Sequence, residues 1–392
     1  MDDLLIVGCV SDNPTVADMV QYMNQQEDYS DLISLKTFLN TEFCPRFIVD
    51  ESDWKNIGRK LEGKKVLIVS TSVQIITRND LAMRNFLVAR AARDNGAEKV
   101  ILLEPDLFYS AQDRGPRPEH GVTDFKRDLA DYKKFDGQPF SARLYADLLK
   151  VSGVDEVVTV HNHSHSVKHI FMDRFSGYFH NLQPSDVYAS YMKDSDIVDE
   201  NNLVLCAPDK GAESFVYEVK EELGNPEIPV LLLSKERMDE REVEIEVATD
   251  SPASLDDVEG REVVVIDDMV RTGHTVTEAC KLIKTASPRR VVLFVTHFYS
   301  SREGRINLND PSIDEIVTTN TIPQILNRDS QGRLRHKMVV LMLERWISHY
   351  ILEMMGYPIA GLTKPLYRED MSSKNPRWKG RMGPLFSTTY IQ

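Results

Sequence analysis

Two adjacent carboxylates, Asp267 and Asp268, stand just ahead of Arg271-Thr272-Gly273-His274-Thr275, and no other stretch carries clearer chemistry. Paired carboxylates accept hydrogen bonds from vicinal hydroxyls, while a loop of small and hydroxylated residues offers backbone amides to a phosphate. Together they suit a sugar phosphate. Val263 to Ile266 reads as a short buried strand ending at the pair. A helix is expected to open at Thr275 or Val276, with Val276, Ala279, Cys280 and Ile283 on one face. An ordinary βα turn capped by aspartates uses the same residue types, but all the pieces in this order favour a ligand site.

The rest of the chain must supply the frame for that turn. Strands are expected at Leu4 to Val7, Lys65 to Ser70, Lys99 to Leu103, Glu156 to Val160, Leu203 to Cys206, Val230 to Leu233, Val263 to Ile266, Val291 to Val295 and Glu315 to Thr318. Amphipathic runs such as Asn79 to Asn95 and Ser141 to Val151 lie between them. Such alternation predicts parallel sheets covered by helices. No 20- to 50-residue repeat is visible, although both halves show the same alternation. A domain boundary is expected near Val151 to Asp155, or after the second helix, and is set at residues 155/156. Asp113 to Pro139 is polar and punctuated by Gly and Pro, and reads as a long insert that is functional or mobile. Residues 364–392 read as an extension that wraps a neighbour or stays partly disordered.

The chain has 392 residues, enough for two domains with full cores, and 42% hydrophobic with 28% charged residues is a soluble globular composition. A net charge of −14 argues against nucleic acid or an anionic membrane as partner. Four scattered cysteines, Cys9, Cys44, Cys206 and Cys280, indicate neither a zinc site nor a disulfide framework, and a cytoplasmic location is expected. No apolar run approaches a membrane span, and the acidic N-terminus is unlike a signal peptide.

The Val263–Lys284 stretch resembles the phosphoribosyl pyrophosphate loop shared by phosphoribosyltransferases and ribose-phosphate pyrophosphokinases. Further matches, in family order between about Phe38 and Pro323, resemble the pyrophosphokinases. Thr159-Val160-His161-Asn162-His163-Ser164 is similar to the family's loop with a metal-associated histidine, which falls on His163. Three alternating histidines, His161, His163 and His165, also admit a transition-metal cluster or a plain polar loop. Ala207-Pro208-Asp209-Lys210-Gly211-Ala212 resembles the second ribose-phosphate contact, with Asp209 near sugar or metal. In Leu231 to Arg241, Lys235 and Arg237 match a Lys-x-Arg pair on a mobile loop that closes on ATP. Phe108 to Arg114 resembles an aromatic-led ATP segment through Gln112 and Arg114. Phe38-Leu39-Asn40-Thr41-Glu42 resembles the adenine-reading segment, which implies ATP contacts at Phe38, Asn40 and Glu42 and supply from a neighbouring subunit. Thr296-His297 and Thr318 to Pro323 match as architecture, and the second favours pyrophosphokinases over phosphoribosyltransferases.

The resemblance implies an α/β fold of two phosphoribosyltransferase-type domains, each a mainly parallel sheet flanked by helices. Residues 1–155 would bind ATP, residues 156–363 would bind the ribose phosphate, and the site would lie at their junction. It further implies Mg²⁺, ATP and a ribose phosphate as partners, and a homo-oligomer, dimer or hexamer. The ribose phosphate would meet Asp209, Asp267, Asp268 and Arg271 to Thr275, while Lys235, Arg237 and His163 would act on the transferring group. Several positions depart from the family pattern: Arg271 and His161 stand where acidic residues are usual, His274 replaces a small residue, Asn40 an acidic one and Ala111 an arginine. Arg271, His161 and Ala111 make the site more positive or neutral. A larger acceptor such as ADP-ribose, an ordinary diverged enzyme and a non-catalytic regulatory homologue all remain open. Retention of Asp267, Asp268, Thr272, Thr275, His163, Lys235 and Arg237 disfavours the last.

Overall fold

A computed structural model describes residues 3–11, 13–23, 32–47, 52–73, 76–123, 125–162, 164–195, 197–237, 243–359 and 364–370. The chain forms two compact units, Met1–Leu182 with Glu344–Leu362, and Gln183–Leu343 with Thr363–Gln392. In the first, β1 (Leu4–Gly8), β4 (Lys65–Val69), β5 (Lys99–Leu103), β6 (Glu156–Val160) and β7 (Phe179–Leu182) form one sheet in the order β1-β4-β5-β6-β7. Every pairing in it is parallel. Runs such as Val66 to Val69 and Val100 to Leu103 are buried along their whole length, as expected where helices cover both faces. This unit's helices are α1 (Pro14–Tyr22), α2 (Arg78–Asp94), α3 (Leu129–Lys134), α4 (Ser141–Ser152), α5 (His165–Arg174) and α11 (Glu344–Met354). Strands β2 (Ile33–Thr37) and β3 (Phe43–Phe47) make a separate antiparallel hairpin.

The second unit holds an eight-stranded sheet, ordered β10-β9-β8-β11-β12-β13-β14-β15. Its strands are β8 (Leu203–Ala207), β9 (Val230–Arg237), β10 (Val243–Val247), β11 (Glu262–Val270), β12 (Arg290–Phe298), β13 (Glu315–Thr319), β14 (Met338–Met342) and β15 (Arg368–Glu369). Only the edge strands β10 and β15 pair antiparallel. Helices α6 (Ser185–Asp194), α7 (Glu213–Leu223), α8 (His274–Thr285), α9 (Arg302–Asn307) and α10 (Arg328–Gln331) belong to this unit. The expected mainly parallel α/β architecture is what forms.

Three expectations are corrected. The boundary at 155/156 falls inside the first unit, because β6 pairs with β5 and β7 with β6, so the sheet closes only at Leu182. Glu344 to Met354, assigned by sequence to the second domain, returns to the first unit as α11. The extension expected from residue 364 begins as β15, whose Leu341↔Glu369 and Met342↔Arg368 register caps the second sheet. Residues beyond 370 lie outside the described ones.

Glu104, just past β5, is fully buried, and Oε1 accepts from Asn85 Nδ2 and the Tyr145 hydroxyl, each at 2.9 Å. Oε2 accepts from the Phe108 amide at 2.8 Å, and Cys9 Sγ donates to Asn85 Oδ1 at 3.1 Å. Burial pushes the Glu104 carboxyl from its ordinary 4.5 up to about 8. A raised folded value means that the stability it contributes is complete below 4.5 and is lost as pH climbs through about 8. Within that window the loss runs at about 1.4 kcal/mol per pH unit. Glu104→Gln should therefore flatten the fall of the urea midpoint across these pH values. An unchanged slope would mean that Glu104 titrates normally.

Candidate functional site

In the second unit, the chemically interesting residues gather where the carboxyl ends of its parallel strands lie, the usual ligand edge of an open α/β sheet. The central strand β11 is longer than expected, so Asp267 and Asp268 lie within it rather than after it. Its register with β8 stops at Val265↔Cys206, while pairing with β12 continues to Val270↔Phe298. Asp209, two residues past β8, accepts from the Gly211 amide at 2.9 Å and adds its charge to that of the acidic pair. Burial first, then the charges of Asp268 and Asp209, hold the Asp267 carboxyl well above the usual carboxylate range. Neighbouring carboxylates thus oppose one another's ionisation, which sugar hydroxyls donating to them would ease.

The loop that follows is shorter than expected. Arg271 and Thr272 lead to Gly273 at φ 73°, and α8 opens at His274. Left-handed backbone there favours glycine, and a Cβ would stand 3.1 Å from Leu308 Cδ2. Two carbonyls of the loop are tied back: Ser301 Oγ donates to Arg271 O at 2.7 Å and Asn307 Nδ2 to Thr272 O at 2.8 Å. Gly304 permits this approach, since a Cβ on it would be 2.8 Å from Arg271 O. With these carbonyls occupied, the first-turn amides of α8, which a helix leaves without intrahelical partners, are the groups suited to an anion. The expected apolar face of α8, Val276, Ala279, Cys280 and Ile283, is buried.

Lys235 and Arg237 were expected on a loop after a strand; both instead belong to β9, paired as Ile245↔Lys235 and Val243↔Arg237 with β10. Lys235 Nζ donates to Thr275 Oγ1 at 3.0 Å, which brings one expected cation to the phosphate loop. Residues 238–242 of the expected mobile loop lie outside the described ones. Arg271 is exposed, its Nε 3.2 Å from Met269 Sδ and its guanidinium 5.9 Å from the Tyr299 ring. His274 is exposed at the helix start.

Thr296, His297 and the Thr319–Thr321 turn are indeed framework. His297 Nδ1 lies 2.9 Å from Thr321 Oγ1, and Thr319 Oγ1 and Thr321 Oγ1 donate to Thr296 O at 2.8 and 3.0 Å. Tyr188, which no motif marks, meets Thr296 Oγ1 through its hydroxyl at 2.9 Å. Burial chiefly, and the Asp267 and Asp268 charges, push that phenol upward. Its distance of 108 residues from Thr296 hides it from sequence reading.

The remaining expected residues belong to the first unit. Phe38, Asn40 and Glu42 form the tip of the β2–β3 hairpin, where Phe38 is 43% exposed and Asn40 Oδ1 accepts from the Glu42 amide at 3.2 Å. Gln112 is exposed, its amide donating to Tyr109 O at 2.9 Å. Arg114, expected at ATP, pairs with Asp131 at 3.1 Å. His161 is buried at φ 45° and its amide donates to Leu182 O at 2.8 Å. His163 lies outside the described residues. Among the described residues no three His, Cys, Asp or Glu side chains form a metal-holding group. The carboxylate of Asp209 suits Mg²⁺ met partly through phosphate and water, which is how that ion is commonly held.

The family model for the phosphoribosyl transferase domain matches residues 188–331. The ribose-phosphate pyrophosphokinase of Corynebacterium efficiens is 27% identical over 294 residues, spanning 74% of this chain and 77% of the relative. Ribose-phosphate pyrophosphokinase 4 of Saccharomyces cerevisiae is 26% identical over 271 residues, 68% of this chain and 72% of that one. A crystal structure of phosphoribosylpyrophosphate synthetase from Mycobacterium smegmatis superposes with a TM-score of 0.68 at 20% identity, covering 90% of this chain and 99% of that one, and so shares the fold.

Proposed function

We propose that the chain, as a divergent ribose-phosphate pyrophosphokinase, is a transferase that passes the β,γ-diphosphoryl group of Mg·ATP to the 1-hydroxyl of ribose 5-phosphate. The ribose oxygen forms a bond to the β-phosphorus, the bond from that phosphorus to the α–β bridging oxygen breaks, and AMP leaves with the electron pair. The hydroxyl proton passes to solvent. No protein nucleophile is required, since positioning and electrostatic stabilisation supply the catalysis.

Asp267 and Asp268 accept from the ribose hydroxyls, and the amides and hydroxyls of Arg271 to Thr275 hold the 5-phosphate. Lys235 and Arg237 offset charge gathering on the transferring group and the departing AMP. Phe38, Asn40, Glu42 and Gln112 serve the nucleotide. Asp209 would help hold Mg²⁺ together with phosphate and water, and the ion would supply Lewis-acid neutralisation of phosphate charge. Lys235 Nζ donating 3.0 Å to Thr275 Oγ1 carries this reading, because it links the cation expected for transfer to the loop expected for phosphate. The protruding tip at Phe38 supports a homo-oligomer, dimer or hexamer, in which the segment serves a neighbouring subunit. The four unpaired cysteines accord with the cytoplasm as the place of work.

Arg271 favours a second acceptor. Its guanidinium is exposed beside the phosphate loop, where a second phosphate on a ribosyl group such as ADP-ribose could be met. AMP release from Mg·ATP, measured with each acceptor separately, tests both readings. Release with ribose 5-phosphate, with a new anomeric diphosphate by phosphorus NMR, is the expected result. Release with ADP-ribose alone would replace the acceptor, and silence with both would favour a regulatory homologue.

A further inference from the structure

The insert at 113–139 is not a loose loop. It contains α3, and its polar groups are organised around two arginines and one aspartate. The Arg127 side chain is 5% exposed, and its Nε pairs with Asp131 Oδ2 at 2.5 Å. Its remaining nitrogens donate to the carbonyls of Gly115 at 2.7 Å and His120 at 2.8 Å. Arg114 Nη1 takes the other Asp131 oxygen at 3.1 Å, and its guanidinium lies 4.9 Å from the Phe135 ring. Arg114 Nε also faces Asp113 Oδ1 at 3.5 Å, and Asp113 Oδ2 accepts from Ser164 Oγ at 2.6 Å. Ser164 is the N-cap of α5, its Oγ accepting from the Val167 amide at 3.2 Å. Ser166 Oγ adds a bond to Asp113 O at 2.5 Å. One continuous polar chain thus runs from Arg127 through Asp131, Arg114 and Asp113 to the first turn of α5.

We propose that the insert is a clamp that fixes the start of α5, next to the histidine loop, and that Arg114 and Asp131 are positioning residues rather than nucleotide ligands. Asp131, bridging two guanidiniums, gives the Arg114 fork a carboxylate partner inside the insert. A buried carboxylate with two cationic partners is held in one geometry, and replacing it by an amide removes the charge and leaves one guanidinium without an acceptor. Gly121 seals the seam: a Cβ there would meet Asp113 O at 2.8 Å and Ser166 Oγ at 3.0 Å.

The inference about catalysis rests on the proposed diphosphoryl transfer, but the clamp is testable without it. Hydrogen exchange on the full chain should rise about tenfold at the Val167 amide in Asp131→Asn, in Arg114→Ala and in the double variant, with no further rise in the double. Asp131→Asn keeps the side-chain shape, so loss of folding is not the expected outcome. Faster exchange confined to the insert, with Val167 unchanged, would overturn the clamp. With the active enzyme, both single variants should lower kcat more than they raise the ATP KM. A raised ATP KM in Arg114→Ala, with both constants unchanged in Asp131→Asn, would make Arg114 a nucleotide ligand and remove its positioning role. An inactive wild type would refute the proposed function while leaving the exchange result decisive for the clamp.

Discussion

Lys235→Ala is expected to cut kcat for diphosphoryl transfer by about 10² to 10³, the usual cost of losing one group aimed at developing transition-state charge. Stability should change little. Lys235 is half-buried on β9, and what the folded chain loses is one hydrogen bond to Thr275 Oγ1, worth about 1 kcal/mol. Steady-state kinetics with saturating ATP, together with thermal unfolding, check both halves. A larger KM for the ribose phosphate with normal kcat would assign Lys235 to ground-state binding through Thr275. Near-full activity would remove Lys235 from the mechanism altogether.

Asp267→Asn is expected to divide stability from activity. In the ligand-free protein, burial and the Asp268 and Asp209 charges raise the Asp267 carboxyl above its ordinary 3.8. Its favourable contribution is therefore complete below 3.8 and is lost as pH rises through the raised folded value. Asparagine carries no charge to desolvate, so the variant should melt higher than the parent at neutral pH and lose that advantage in acid. Activity should fall by about a hundredfold, the cost of weakening charge-assisted hydrogen bonds worth about 1.5–3 kcal/mol each. Thermal unfolding at two pH values and the ribose-phosphate KM provide the checks. Equal melting at both pH values would mean that Asp267 is ionised and relaxed without ligand. Full activity would move the sugar contact elsewhere.

Much of the architecture was legible because parallel strands buried on both faces must be continuous apolar runs. Lys99 to Leu103 and Glu156 to Val160 form strands with the expected bounds. Strand β7 was not legible, since Phe-His-Asn-Leu places two polar residues mid-strand, where Asn181 bonds Asn162 and His180 meets Tyr350. Strand β10 is not among the expected strands, although Val243-Glu244-Ile245-Glu246-Val247 alternates apolar and charged residues, and its place comes from the register with β9. Helix α11 is plainly amphipathic, but which unit takes it depends on the partner its apolar face finds.

The same division runs through the site. Sequence alone determined which residue types stand at the turn: the Asp267–Asp268 pair, the Gly273 that a left-handed position favours, and the Thr275 hydroxyl at the helix start. Those demands are local, set by backbone sterics and by the chemistry of neighbours along the chain. Only tertiary structure decided that Lys235, 40 residues from Thr275, bonds to it, that Tyr188 meets Thr296, and that Arg114 pairs with Asp131. Long side chains reach whatever partner folding brings near, and a guanidinium pairs with the carboxylate that burial holds in place. Motif spacing carries no record of such distant carboxylates.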